Sequence, residues 1–301
     1  MQSIYALFQS KSDDLTNEEK FLNLSVKKTF DLYVLQLLLL VEVKNMENEH
    51  LEIKKKKYLA TTEDKKPSLK FINNSVIQAI EQSTSVQNYI KDKKLDNWKN
   101  DREYVRVVLD RLKENKIFED YLKSTTNSFE DDKEFILNAF KEVFAPDEKL
   151  FDYYESMNLS WIDDLPFVNT LVVKAIKSLK PNQFINLNNL VIKEDDQEYM
   201  FDLFRKSVLH NTDYDVDIDS KTPNWDNERI AEVDMILIKM AITEFLYFPS
   251  IPTKVTINEY IEIAKDYSTQ KSSFFINGVL DKLLKVYQQD KRLNKIGRGL
   301  L

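Results

Sequence analysis

The sequence predicts an all-α protein, and three observations support this prediction. Glycine and proline, the residues that most often interrupt helices, number only 3 and 7 among 301 residues. Apolar residues recur at intervals of three and four through most of the chain, which is typical of amphipathic helices. Tight β-hairpins depend on glycine, and no glycine precedes Gly278. We therefore expect helices along the whole chain and few hairpins.

The composition also excludes several classes of protein. With no cysteine, the chain forms neither a disulfide nor a metal site with thiolate ligands. Its three glycines cannot build a P-loop or a dinucleotide-binding fingerprint, because both need glycine where the backbone approaches phosphate. The only histidines, His50 and His210, stand in no recognisable catalytic motif. We expect no enzymatic activity, no cofactor and no metal site.

The first predicted elements are a short helix and a long one. Gln2–Gln9 has apolar residues on one side. Thr16 and Glu19 have capping-box spacing, so we expect the long helix to begin there. Its apolar run, Leu32–Val43, is shorter than the roughly 20 residues of a membrane span, and predicts a buried core helix. The N-terminus lacks the layout of a signal peptide, so we expect a cytoplasmic protein that does not contact a membrane.

Two stretches of the chain share one layout. Glu134 and Glu198 each begin a helix with an apolar stripe, and Lys174 and Lys239 occupy corresponding places further on, at offsets of 64 and 65 residues. Either the region contains a degenerate copy of part of the C-terminal core, or two helical patterns have converged, and the sequence leaves both interpretations open. The asparagine-rich segment Lys180–Gln197 is the best candidate for a linker.

Four aspartates alternate at positions 213, 215, 217 and 219, a spacing that suggests a calcium site. An EF-hand loop that begins at Asp213 requires glycine at its sixth position and glutamate at its twelfth. The sequence has Ile218 and Asn224 at those positions. We therefore predict an acidic loop rather than a calcium site.

The segment Ile251–Lys282 is predicted to form a proline-entered loop and two helices. Thr256 and Glu259 have capping-box spacing ahead of an apolar run, so we expect the first helix to begin there. Gly278 lies inside the second helix. A glycine in a helix interior costs about 1 kcal/mol relative to alanine, so we expect Gly278 to mark a close packing contact.

Two stretches of this segment, INEYIEIAKDY and FFINGVLDK, resemble the signature of the NusB family. The preceding RIAEVDMILIKMAITE is similar to the helix before that signature, and the N-terminal MQSIYALFQS is similar to the family's first helix. The resemblance is specific from about Glu198 to Lys285 and does not cover the region between the two parts. It implies a NusB-like helical bundle with an additional helical region inserted after the first helix, as in the long form of Bacteroidota-type bacteria.

On this basis we expect four regions. Residues 1–20 hold the first helix of the core, 21–197 form a helical insertion of unknown role, 198–290 complete the core, and 291–301 form a basic tail. We expect the tail to be mobile and to add nonspecific attraction for RNA.

The resemblance implies a binding function. NusB proteins bind the boxA element of nascent RNA together with the ribosomal protein NusE and support transcription antitermination, so it implies these two partners. An RNA polymerase elongation complex is a further candidate partner for the insertion. The net charge of −7 suits a basic protein partner better than it suits RNA without such a partner.

A protein-interaction module that uses the fold without binding RNA directly is the alternative. A NusB-like domain is also found fused to a ribosomal RNA cytosine methyltransferase, but that enzyme needs a catalytic cysteine and a nucleotide-binding domain.

The resemblance also implies that RNA contacts lie at the turn between the two signature helices. Lys271, Ser272 and Phe275 are the best candidates. A lysine can meet a phosphate, and an exposed aromatic ring can stack on an unpaired base. Core packing is an equal alternative for Phe275.

Three further positions are weaker candidates for RNA contact. Gln2 and Tyr5 match positions in the family's first helix. Lys265 either contacts a phosphate or only stabilises the C-terminus of its own helix.

Overall fold

The computed structural model describes residues 1–11, 14–56, 67–190, 194–219 and 230–300. Within these ranges the chain is helical and forms no β-strand, which confirms the predicted all-α fold. The chain divides into two compact units. We call residues 1–23 and 192–301 the terminal unit, and residues 24–191 the central unit.

The central unit contains most of α2 and the helices that follow it. They are α2 (Leu15–Lys55), α3 (Ser75–Glu81), α4 (Thr84–Lys93), α5 (Asn97–Asn100), α6 (Arg102–Glu114), α7 (Lys116–Lys123), α8 (Phe129–Ala139), α9 (Glu148–Met157) and α10 (Trp161–Ser178). One π-helical turn, Phe140–Phe144, extends α8, and a 3-10 turn, Leu187–Leu190, follows α10.

The terminal unit contains the first helix, the start of α2 and the C-terminal helices. They are α1 (Gln2–Ser10), α11 (Glu194–Leu209), α12 (Asp213–Asp219), α13 (Glu232–Tyr247), α14 (Thr253–Tyr267) and α15 (Gln270–Gln289), followed by a 3-10 turn, Gly297–Leu300.

The core of the central unit forms around α2. Within Leu32–Val43 ten residues are buried, which confirms the predicted core helix. Two indole N–H groups bind its backbone: Trp98 donates to the carbonyl of Leu35 and Trp161 to that of Lys28, each at 2.9 Å. Among the described residues, no helix has both the length and the apolar character that crossing a membrane requires.

The start of α2 differs from the prediction. The capping box at Thr16 and Glu19 is wrong, because the helix begins at Leu15 and is capped by Asp14, two residues earlier. The N–H of Asn17 donates to Asp14 Oδ1 at 3.0 Å, which satisfies one of the free amides of the first turn. Glu19 is instead paired with Arg205 of α11, whose Nη2 lies 2.7 Å from Glu19 Oε2.

The second predicted capping box is also wrong. Helix α14 begins at Thr253, directly after Pro252, because proline fixes a backbone angle that suits a helix entry. Thr256 therefore lies inside the helix, where it is fully buried, and its hydroxyl donates to Glu244 of α13 at 3.1 Å. Glu259 is exposed on the surface of α14.

Helix α13 is the central helix of the terminal unit. It packs against α1, α11, α14 and α15, and it is buried continuously from Ile236 to Phe245. A helix that is covered on all sides is expected to be apolar all round, so the few polar side chains within it need partners. Lys239 finds one in Asp215, with 2.6 Å between Nζ and Oδ1.

The alternating aspartates form α12 rather than the predicted loop. Their carboxylates bind other side chains of the terminal unit. Asp217 accepts hydrogen bonds from the Tyr287 hydroxyl at 2.7 Å and from Arg292 at 2.9 Å, and Asp213 contacts His210 Nδ1 at 2.9 Å. Among the described residues, no cluster of His, Asp and Glu side chains could hold a metal ion.

Residues 291–300 of the basic tail fold onto the residues that follow α13, whereas the sequence predicted a mobile tail. The Lys295 ammonium donates to the carbonyl of Phe248 at 2.9 Å, and the N–H of Ile296 donates to the carbonyl of Pro249 at 3.0 Å. A side chain at Gly299 would place its Cβ 1.9 Å from the same Pro249 oxygen. Only glycine fits here, because the two backbone segments touch.

Helix positions recur between two regions of the chain. Helix α8 with its π-turn covers residues 129–144, and α11 covers 194–209. Helix α9 begins at Glu148 and α12 at Asp213, so both pairs are 65 residues apart. Residues 220–229, which belong to the second copy, lie outside the described residues, and the repeat stays a prediction.

The first half of the predicted linker is part of the central unit. Ile185 and Leu187 are buried in its core. The hydroxyl of Ser83 donates to the carbonyl of Ile185 at 2.5 Å. These contacts hold the segment against the helices, which a linker would not require.

Candidate nucleic-acid interface

The turn between α14 and α15 is built by three hydroxyl side chains. Thr269 caps α15, and its Oγ1 accepts a hydrogen bond from the N–H of Ser272 at 3.2 Å. The Ser268 hydroxyl donates to Ser272 Oγ at 2.9 Å. Ser272, a predicted RNA contact, is only 7% exposed. Its position therefore favours shaping the turn over touching a ligand.

Two adjacent phenylalanines at the start of α15 have opposite environments. Phe275, a predicted RNA contact, is half-buried and packs on the core of the terminal unit. Phe274, which sequence reasoning missed, is 74% exposed. A signal was present, because at about 100° per residue Phe274 lies roughly 160° from the buried Ile276, on the outer face. Phe275 lies at the boundary between the two faces.

Helix α15 presents a basic and aromatic outer face. We call the side chains of Lys271, Phe274, Lys282 and Lys285, together with the backbone at Gly278, the α15 face. All five residues are exposed. The three lysines have no ion-pair partner among the described residues. The face therefore combines an aromatic ring with unpaired cations, although the whole chain carries a net charge of −7.

Gly278 does not mark a close packing contact, so that prediction is wrong. Nothing lies within 4 Å of the position that a Cβ would occupy. The glycine instead leaves a flat stretch of backbone beside Phe274, at a cost of about 1 kcal/mol in helix stability relative to alanine. Such a site allows a ligand to approach the helix closely.

The remaining predicted residues lie on other helices of the terminal unit. Lys265 is in the last turn of α14, where its Nζ binds Glu262 at 2.6 Å and stabilises the negative end of the helix dipole. Gln2 and Tyr5 are exposed on α1, which packs against α11 and α13.

A buried carboxylate holds the helices behind the α15 face, and sequence reasoning missed it. Glu244 is 5% exposed and accepts hydrogen bonds from Thr256 at 3.1 Å and from Tyr199 at 3.3 Å. Burial raises the pKa of the Glu244 carboxyl, while hydrogen bonds from Thr256 and Tyr260 act in the opposite direction. The sequence did contain a signal for this role, because Glu244 is an acidic residue inside an otherwise mostly apolar helix.

Comparison with known proteins identifies relatives for part of the chain. A sequence model of the NusB family matches residues 162–285, so the similarity begins upstream of Glu198. A protein from Salinibacter ruber is 46% identical over 99 residues, which cover 33% of this chain and 62% of the relative. One from Chloroherpeton thalassium is 41% identical over 105 residues, 35% of this chain and 50% of the relative. The chain thus spans between half and two thirds of these two relatives.

A third relative is covered more completely. The protein from Methylacidiphilum infernorum is 32% identical over 126 residues, which cover 39% of this chain and 88% of the relative. All three relatives are named transcription antitermination protein NusB. No solved structure matches the chain. The extent and identity of the third match confirm the resemblance seen in the sequence: the chain belongs to the NusB family.

Proposed function

We propose that this protein is a transcription antitermination factor that binds boxA-like RNA together with the ribosomal protein NusE. Family membership and the name shared by its relatives support the class of function. The observation that carries the RNA part is the α15 face, where an exposed ring lies among unpaired lysines. A factor of this kind acts by binding in the cytoplasm rather than by catalysis.

The α15 face suits single-stranded RNA. A base can stack on Phe274, because stacking on an exposed aromatic ring contributes about 1–3 kcal/mol per base. Lys271 and Lys282 lie on the same face of the helix and can meet phosphates on either side of that base. The open backbone at Gly278 leaves room for the sugar. In this arrangement Phe275 is half-buried against the core, and Ser272 positions the turn.

The other predicted contacts extend the same proposal. Gln2, Tyr5 and Lys265 are exposed on the terminal unit, so a longer RNA can reach them. The acidic balance of the chain suits a basic partner such as NusE, because complementary charge speeds association and orients the partners. RNA polymerase in an elongation complex is a further candidate partner for the central unit.

Fluorescence anisotropy with a boxA-like RNA and a scrambled RNA, with and without NusE, tests the proposal. We expect selective binding that tightens when NusE is added. Phe274→Ala is expected to weaken binding of the boxA-like RNA about 5- to 150-fold, which corresponds to the loss of one stacked base. The matched control is Phe21→Ala, because Phe21 is 54% exposed in the same unit but is not on α15.

The alternative is a protein-interaction module that uses the NusB fold without touching RNA. The net charge of −7 favours it. A complex with NusE and no selective RNA binding by either the chain or the complex would support the alternative. Selective binding that is insensitive to Phe274→Ala would retain the function and move the interface away from the α15 face.

We further propose that residues 21–197 are an insertion into the NusB-like core, and that it contains a degenerate copy of part of that core. The constant spacing of 65 residues between α8 and α11, and between α9 and α12, supports this proposal. A structure-based alignment of residues 129–178 on 194–247 tests it. Superposition with α8, α9 and α10 in the same order and direction as α11, α12 and α13 is expected.

A further inference from the structure

The C-terminal end of α10 and the segment that follows it form a basic region in an acidic chain. Residues 165–193 contain four lysines and no aspartate or glutamate, although the whole chain has a net charge of −7. Lys174, Lys177 and Lys180 are exposed, and they have no ion-pair partner among the described residues. A lysine in the last turn of a helix stabilises the helix dipole, but only Lys177 lies in that turn. The central unit therefore presents unpaired positive charge here.

An exposed ring lies in the segment that follows these lysines. Phe184 is 53% exposed. It contributes to the walls of three cavities, with volumes of about 470, 790 and 820 Å³. The next residue, Ile185, is buried, and its carbonyl accepts hydrogen bonds from the hydroxyls of Ser83 at 2.5 Å and Ser85 at 3.2 Å. The ring is thus open to a ligand, while the neighbouring backbone is fixed to the central unit.

The cavity of about 470 Å³ brings the ring and the basic region together. Lys174 and Ser178 line it from α10, and Gln183, Phe184 and Asn186 line it from the following segment. The rest of its lining is largely apolar and consists of Tyr33, Leu171, Ala175, Leu179 and Ile185. Since a cavity of ~150 Å³ accommodates a benzene ring, this cavity is large enough for a nucleobase.

Carboxylates line the other two cavities around Phe184 but not this one. Asp92 lines the cavity of about 820 Å³ and Asp132 the cavity of about 790 Å³, whereas no acidic side chain of the described residues lines the cavity of about 470 Å³. Asp132 is also engaged within the protein, because its two oxygens accept hydrogen bonds from the hydroxyls of Tyr121 at 2.5 Å and Ser75 at 2.7 Å. An anionic ligand is therefore favoured on the α10 side of Phe184.

A single strand of RNA uses all of these features at once. A base can stack on an exposed aromatic ring, and lysines can meet the phosphates. The side-chain amide of Gln183 makes no hydrogen bond with the described residues, and an amide can both donate to and accept from the edge of a base. An acidic peptide needs only the lysines, whereas every base offers a flat face to the ring and a polar edge to the amide. The combination favours RNA.

We propose that Lys174, Lys177, Lys180, Gln183 and Phe184, which we call the α10 site, bind single-stranded RNA outside the boxA-like element. One base stacks on Phe184 with its edge at Gln183, and the lysines contact phosphates of the same strand. The central unit thereby contributes an RNA contact of its own. The inference goes beyond the proposed function, because it concerns a different surface and RNA without a boxA-like element.

Fluorescence anisotropy with a labelled single-stranded RNA that has no boxA-like element tests the inference. The RNA is about 12 nucleotides long, within the ~4–16 nucleotides that one single-strand-binding domain covers, and NusE is left out. The measurement uses the full chain and its Phe274→Ala variant, in which the α15 face no longer contributes its ring. We expect both proteins to bind. Phe184→Ala, introduced into either, should weaken binding about 5- to 150-fold, the effect of one stacked base.

Two further substitutions of the ring separate stacking from packing. Phe184→Leu keeps an apolar side chain but loses the flat ring, so RNA affinity should fall as it does for Phe184→Ala. Phe184→Trp keeps an aromatic face and should retain the affinity of the unaltered chain. The matched control is Phe167→Ala, because Phe167 is 59% exposed on α10 but lies outside the cavity. Its RNA affinity should be unchanged.

The salt dependence of binding tests the phosphate contacts of the lysines. For single strands, the slope of log K against log salt is about −0.7 for each phosphate neutralised. Lys174→Gln combined with Lys177→Gln should therefore make the slope shallower by about 1.4, an effect that a purely structural role would not produce. The control is Lys149→Gln on α9, an exposed lysine without an ion-pair partner among the described residues, which should leave the slope unchanged.

Three results would overturn the inference. Failure of this RNA to bind, or binding that is unaffected by Phe184→Ala and by the lysine substitutions, would show that the α10 site does not contact RNA. Competition by uridine monophosphate at the same concentration as the RNA would indicate a site for a free nucleotide instead. Because the RNA lacks a boxA-like element and NusE is absent, failure of the proposed function would show separately, as a loss of boxA selectivity with the dependence on Phe184 retained.

Discussion

The carboxylate of Glu244 accepts a hydrogen bond from the hydroxyl of Thr256 at 3.1 Å, which joins α13 to α14 inside the terminal unit. The other carboxylate oxygen accepts from the hydroxyl of Tyr199 on α11 at 3.3 Å. The backbone carbonyl of the same residue accepts from Lys295 of the tail at 3.2 Å. One buried acidic residue thus connects three helices and the tail behind the proposed RNA interface.

Glu244 is expected to make the stability of the protein decrease as the pH rises. Burial raises the pKa of this carboxyl above its usual value of 4.5, so the folded state holds the proton more tightly than the unfolded state. Its contribution is fully present below pH 4.5 and is lost as the pH rises through the folded pKa. Urea unfolding between pH 4 and pH 8 measures the effect. In Glu244→Gln the decrease in stability between pH 4 and pH 8 should be smaller, because the titrating carboxyl is gone. Identical pH profiles for the two proteins would show that Glu244 does not cause the decrease.

Thr256→Val is expected to lower the free energy of unfolding by about 1–3 kcal/mol. Valine keeps the shape of the side chain but removes the donor, which leaves one oxygen of Glu244 buried with fewer hydrogen bonds. The matched control is Thr170→Val, because Thr170 is exposed and donates only within its own helix, to Pro166 at 3.0 Å. Its unfolding free energy should change by less than about 0.5 kcal/mol. Equal losses in the two variants would show that Thr256 has no special role.

Helical periodicity predicted the parts of the fold that depend on burial. Leu32–Val43 has few polar residues, so the sequence alone identified it as a core helix. The starts of α2 and α14 were harder, because more than one start signal stood close together. At α2 both Asp14 and Thr16 could cap the helix, and Asp14 does so. At α14 the helix begins directly after Pro252, ahead of the predicted cap at Thr256. Where several start signals stand within a few residues of one another, the sequence alone does not rank them.

The sequence located the candidate site at the turn between α14 and α15, but it did not identify which aromatic side chain is exposed there. The family resemblance led to Lys271 and Phe275 as candidate RNA contacts. In the structure Phe275 is half-buried, and the exposed ring is that of the neighbouring Phe274. The helical angle could have shown this, since Ile276 defines the inner face. The partners of Glu244 could not be predicted, because Tyr199 is far away in the sequence and only the fold brings it close.

The two phenylalanines at the start of α15 are expected to separate binding from stability. Phe274→Ala removes an exposed ring, so its unfolding free energy should stay within about 0.5 kcal/mol while RNA affinity falls. Phe275→Ala removes a ring that packs on the core, so it should lower the unfolding free energy by about 1–3 kcal/mol. Urea unfolding and RNA anisotropy on both variants measure the two effects. A larger loss of RNA affinity for Phe275→Ala, measured where it is fully folded, would return the contact to Phe275.

Two glycine-to-alanine substitutions are expected to change stability in opposite directions. At Gly278 nothing lies within 4 Å of a new Cβ, so alanine should raise the unfolding free energy by about 0.5–1 kcal/mol through its better helix propensity. At Gly299 the new Cβ would meet the carbonyl of Pro249 at 1.9 Å. The tail must shift there, and a loss of about 1–3 kcal/mol is expected, as for other overpacked sites.

The same pair also tests why α15 carries a glycine on its surface. If RNA approaches the helix backbone beside Phe274, Gly278→Ala should bind boxA-like RNA more weakly although it is more stable. Gly299→Ala, studied where it remains folded, should bind normally because the tail is not part of the α15 face. Unchanged RNA affinity in a stabilised Gly278→Ala would show that the RNA does not touch this backbone, and that the glycine has no role in the interface.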